Sequence, residues 1–197
     1  STADYQATVR AASPTPLNTP VIRFSPQDIG VWQARNLDGV SNELIRNFQL
    51  SDPISPERFS LLFIQPPERE QEPASFYVNT GGGIEFDAID RTNGRIEALL
   101  RPGQFLIENG FYSGGINLSV ASSTIEISLE GACALIDIKE DRVNMACLRG
   151  QCNYSTEVGG VPVESAAGRY TEISRIDGET ESGALYPGYS NLSRFYY

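Results

Sequence analysis

Apolar and polar residues alternate through most of the second half of the chain. Ser123-Thr124-Ile125-Glu126-Ile127-Ser128-Leu129 does so strictly, Ala132-Cys133-Ala134-Leu135-Ile136-Asp137-Ile138 less so. Arg142-Val143-Asn144-Met145-Ala146-Cys147-Leu148 and Gly168-Arg169-Tyr170-Thr171-Glu172-Ile173-Ser174 follow. A period of two buries one face of a strand and wets the other. Turn signals punctuate these runs: Asn93-Gly94, Pro102-Gly103, Asn109-Gly110, Gly114-Gly115, Gly159-Gly160 and Asp177-Gly178. Short strands at this rhythm predict an all-β sandwich or a rolled, solenoid-like β domain.

The first half is less regular. Residues 1–20 hold Pro14, Pro16 and Pro20 among Ser, Thr and Ala, which favours an extended arm over helix or central strand. Residues 21–93 form an N-terminal β-rich region. Val21-Ile22-Arg23-Phe24 reads as a short strand, and Ser25-Pro26-Gln27-Asp28 as a helix start with Ser as N-cap. Residues 41–48 fit either a turn or two of helix or part of a strand, so one or two short helices are the most expected. Phe59–Ile64 is a buried strand stopped by Pro66-Pro67, and the charged run 68–72 is an exposed loop. Ala74–Val78 resumes the sheet. Gly81-Gly82-Gly83 leads into the alternating Ile84–Ile89 instead of a helix, so it reads as a turn and not a phosphate cradle. Residues 94–176 form the main β domain, and 177–197 a strongly aromatic tail.

Charge narrows the function classes. Fifteen Lys and Arg against 25 Asp and Glu leave a net charge of −10 with no basic cluster. That argues against nucleic acid and anionic membranes as partners. The chain contains no His, which removes Ser-His-Asp and Cys-His catalysis and the commonest metal ligand. No enzyme, cofactor or metal is expected. Asp87, Asp90 and Glu85 lie close together, but their spacing matches no EF-hand loop. Glu85 and Asp87 share parity around Phe86, which places both on an exposed strand face. No apolar run approaches the roughly 20 residues of a membrane-spanning helix. A chain opening at Ser1 and lacking a signal peptide is expected to be either a processed product or a trimmed chain.

Three cysteines fall between positions 133 and 152. Cys147 and Cys152 enclose Leu148-Arg149-Gly150-Gln151 and form the favoured bridge. A tight turn at Lys139-Glu140-Asp141 would instead set Cys133 opposite Cys147, the alternative pair. An odd count leaves one thiol over. A glycan groove built on Trp32 and tyrosines is a further candidate, weighed against plain packing of that Trp. Asn117, Asn153 and Asn191 each stand in an N-x-Ser sequon.

From about Arg95 to Ser174 the sequence resembles FecR-like domains of bacterial extracytoplasmic proteins. The likeness runs through a strand pair around a Gly-bounded turn (Leu100–Ile107), then Gly131–Ile138. Val143–Cys152 resembles the hallmark strand with its Leu-x-Gly step, and Val161–Tyr170 is similar to the closing turn and strand. The resemblance implies a β-only domain outside the cytoplasm, used for binding or signalling.

Together these features predict a non-enzymatic extracellular or cell-surface protein, with the periplasm as second choice. The leading expectation is a homo-oligomer or polymer, a subunit of a self-assembling structure such as a filament. Tyr5, Val9 and Leu17 in the arm, and Leu185, Tyr186, Tyr189, Phe195, Tyr196 and Tyr197 in the tail, are its candidate subunit contacts. The alternative is a monomeric FecR-like module that recognises a protein or a glycan.

Overall fold

The fold is taken from a computed structural model that describes residues 27–34, 44–65, 72–109 and 115–185. The arm, the Val21–Phe24 strand and the tail beyond Leu185 lie outside these residues. The described chain is all-β, without a helix. Thirteen strands follow one another: β1 (Gly30–Ala34), β2 (Leu44–Phe48), β3 (Ser60–Ile64), β4 (Ala74–Val78), β5 (Gly83–Asp90), β6 (Arg95–Arg101), β7 (Gly103–Glu108), β8 (Ile116–Val120), β9 (Glu126–Ile138), β10 (Arg142–Ser155), β11 (Val163–Ala166), β12 (Arg169–Ser174) and β13 (Thr180–Ala184). The helix expected after Ser25 does not form: Gln27 sits in a turn and β1 begins three residues later. Residues 44–48 take the strand alternative.

The long hairpin β9–β10 organises everything else, because each of its strands serves two layers. The last half of β9 pairs with β7 and the first half of β10 with β12, giving a first layer ordered β13-β12-β10-β9-β7-β4-β3-β1-β2. The other halves pair with β8 and β11, and β8 continues to β6 and β5. All pairs are antiparallel except β6–β8. The hairpin bends between the layers where its register slips, between Cys147 and Gln151.

Side-chain parity shows the bend in the residues themselves. In β9 the inward positions are Ile127 and Leu129 before Gly131, then Ala132, Ala134, Ile136 and Ile138 after it. In β10 they are Val143, Met145 and Cys147, then Cys152 and Tyr154. Each strand thus switches from odd to even at a glycine with positive φ, Gly131 at 53° and Gly150 at 75°. An extra unpaired residue bends and twists a strand in this way. A Cβ on Gly150 would fall on the carbonyl oxygen of Gly131, so the two backbones cross at a distance only glycine permits.

Between the layers lies one core. Phe76 from the first layer meets Phe86 from the second edge-on, ring centroids 5.0 Å apart, and Phe48 lies 5.4 Å from the same ring. Such tilted and edge-to-face pairs are favoured by the ring quadrupole. The core draws on residues from Ile29 to Ile173, so strands before and after residue 93 share it. Leu100–Ile107, expected as a strand pair, is a corner instead. β6 ends in the second layer at Arg101, Pro102 turns the chain, and β7 begins in the first layer at Gly103. A second, smaller cluster of Phe59, Leu106, Leu135 and Ala146 is joined by Tyr77, Cys133, Leu148 and Leu185.

Candidate functional site

The cysteines settle as favoured, with Cys147 bonded to Cys152 across a Cα separation of 5.9 Å. Both are fully buried, and the bridge closes over the exposed bulge Arg149-Gly150-Gln151. The alternative pairing fails for a reason of register. Lys139 N–H donates to the Arg142 carbonyl at 2.9 Å, so the hairpin turn is the two residues Glu140-Asp141 and not three. Cys147 therefore faces Ala134, while Cys133 faces Arg149 beyond the bulge. A slip of one residue moves a side chain to the other face of a sheet. Cys133 accordingly packs on the smaller cluster, and burial, then the nearby Glu108 carboxylate, push its thiol up to about 11.

Trp32 follows the packing alternative. It packs against the core, and the Arg46 guanidinium lies 3.7 Å from the centre of its ring. Of the candidate subunit contacts, Leu185 packs half-buried against the chain's own smaller cluster. Tyr5, Val9, Leu17, Tyr186, Tyr189, Phe195, Tyr196 and Tyr197 lie outside the described residues. The acidic group also disperses. Asp90 caps its own turn, its Oδ1 accepting from Thr92 and Asn93 N–H at 2.9 and 3.0 Å. Those bonds, Asn93 foremost, hold its carboxyl below the usual range. Glu85 pairs with Arg101 at 3.4 Å. Asp87 occupies a bulge opposite the step from Ala98 to Glu97, and is raised by partial burial and then by Glu85 and Glu97. No group of metal-binding side chains stands among the described residues.

The outer face of the second layer carries the feature that sequence reading passed over. A groove of about 260 Å³ runs there, floored by Asn117, Ser119, Glu126, Ser128 and Asn153 and walled by Arg95 on one side and Gly160 and Pro162 on the other. Its floor is a register effect. Glu97 pairs with Asn117, Asn117 with Ser128, Ser128 with Asn153, and Asn153 with Glu164. One polar side chain from each of five strands therefore stands in a single row across the sheet. The apolar neighbours Leu118, Ile127 and Leu129 point the other way into the core.

Partnering within the row is uneven. Glu97 is engaged by Arg95 at 2.9 Å, and Glu126 accepts from Gly159 N–H at 3.1 Å. That second bond ties the β10–β11 loop to the groove, and Ser155 and Glu157 brace the loop internally. The half-buried side chains of Asn117, Ser128 and Asn153, in contrast, make no hydrogen bond among the described residues. Each amide brings two donors and an acceptor that the fold leaves unused. A hollow beside Asp28 is different, since Asn47 donates to that carboxylate at 2.8 Å. The two N-x-Ser sequons at Asn117 and Asn153 thus mark mid-strand groove residues. Their outward parity was the available signal. Their adjacency was not readable, because it depends on strand pairings distant in sequence.

No family model matches the chain, and no curated protein matches it. Two crystal structures described as a "putative anti-sigma factor" from Parabacteroides distasonis share its fold, with TM-scores of 0.56 and 0.55 at 9% identity. The likeness covers 72% and 71% of this chain and 64% and 62% of those proteins, so the chain matches less than two thirds of their length. At that identity it establishes the all-β architecture alone.

Proposed function

We propose that this chain is a non-catalytic, extracytoplasmic recognition module that acts as a monomer and holds its partner in the groove of the second layer. The row Asn117-Ser128-Asn153 carries the reading: its amide and hydroxyl groups reach solvent and have no partner within the described fold, so their donors and acceptors are available to a ligand. The FecR-like resemblance and the fold neighbours described as anti-sigma factors support a binding role. The buried Cys147–Cys152 bond is compatible with an oxidising compartment. No helix among the described residues is long and apolar enough to cross a membrane.

Two of the described edges, β11 and β13, are ill suited to self-assembly through added strands. β11 is four residues long, and β13 is exposed and carries Glu181. Short, charged edges discourage pairing with another chain. A catalytic role for the groove carboxylates is opposed by their engagement with Arg95 and the Gly159 amide.

Light scattering across a range of concentrations tests the monomer. A constant mass near 21.6 kDa is the expected result. Large species with a regular repeat would overturn it and return the function to assembly.

A further inference from the structure

Resting on that reading, we infer that the groove takes a neutral, polyhydroxylated polymer, a β-linked polysaccharide segment lying across the strands. Three features of the row point to this class. First, β8, β9 and β10 are each paired on both sides at this level, so no backbone group is open to an added peptide strand. Recognition must run through side chains. Second, the row repeats at the general spacing between strands, about 4.8 Å, which is close to the length of one sugar residue. An extended peptide presents like-facing side chains about 6.6 Å apart and falls out of step with it. Third, the groups at the centre of the row are the neutral donor–acceptors Asn117, Ser128 and Asn153, while Glu97 and Glu126 are engaged by Arg95 and the Gly159 amide and Glu164 stands exposed at the row's end. Such groups exchange bound water for ligand hydroxyls without burying a charge. Pro162 on the wall offers an apolar surface to the C–H face of a sugar ring.

The test is a nitrogen-15 NMR titration of the full chain with a panel of neutral β-linked hexasaccharides, following the side-chain amide signals of Asn117 and Asn153 directly. Saturable shifts confined to β8, the first half of β9 and the second half of β10 are expected, with an affinity unchanged by added salt because no ion pair forms. Asn117→Ala and Asn153→Ala should each weaken binding roughly fivefold and the double variant roughly 25-fold, one hydrogen bond per amide. Their melting temperatures should stay put, since neither amide has a partner to lose. Asn144→Ala, on the first layer, should change nothing. If no member of the panel shifts these signals, or the shifts map elsewhere, the ligand class is wrong. A groove-binding peptide recovered from a displayed library would likewise overturn the saccharide while sparing the recognition module. Polymers seen by light scattering would instead sink the module itself.

Discussion

Asp87 and Cys133 are side chains whose surroundings work against their charged forms. Asp87 has its folded-state pKa raised above the ordinary 3.8, by partial burial and then by Glu85 and Glu97. Ionised Asp87 therefore costs stability once pH rises through that value, and the cost vanishes below 3.8. Asp87→Asn should raise the melting temperature at pH 7 and leave it unchanged at pH 3. Because the site is exposed, the gain should stay below about 1 kcal/mol. An equal gain at both pH values would show that charge is not the cause. Cys133 has a thiol pushed up to about 11, leaving little thiolate at neutral pH. Alkylation of the native protein at pH 7.5 should be slow and should become rapid in urea, and fast labelling without denaturant would contradict its placement. At this scale the sequence is a good guide to parity and a poor one to neighbours: Phe86 inward and Glu85 outward were readable, Glu97 beside Asp87 was not.

At the scale of elements, the bend in β9–β10 was half legible. The switch from Ile125, Ile127 and Leu129 to Ala132, Ala134, Ile136 and Ile138 is written in the chain, as is Val143, Met145 and Cys147 giving way to Cys152 and Tyr154. Each pattern alone suggests an ordinary strand; only the change of parity between them reveals the bulge. The turn length was not legible, since Lys139-Glu140-Asp141-Arg142 suits loops of two or three residues equally. That single residue decided which cysteines could pair. Gly150→Ala should cost about 1–3 kcal/mol, because it adds a side chain at positive φ against the Gly131 carbonyl. Replacing Cys147 and Cys152 together by Ala should cost about 2 kcal/mol through the released loop. Urea unfolding measures both, and a neutral Gly150→Ala would place the crossing of the two strands in error.

Across the whole molecule, the all-β class and the strands Phe59–Ile64, Ala74–Val78 and Ile84–Ile89 followed from alternation and turn residues. The division into layers did not, because β6 pairs with β8 while β7, its neighbour in sequence, turns the corner at Pro102-Gly103 into the other layer. Since one core joins both layers, they should melt as one. Phe86→Ala, which empties the contact with Phe48 and Phe76, should cost about 3–5 kcal/mol. Unfolding followed by fluorescence and by far-ultraviolet circular dichroism should remain coincident. Two separated transitions would show that the layers are independent.

The hairpin of residues 126–155 also sets an order of events in time. It is contiguous, closed by the two-residue turn Glu140-Asp141, and it carries a template for each layer before any distant strand arrives. Short loops close at the least entropic cost. Weakening Val143 or Ile138 should therefore slow refolding, whereas equal damage at β1 or β13, which do not pair with the hairpin, should chiefly speed unfolding.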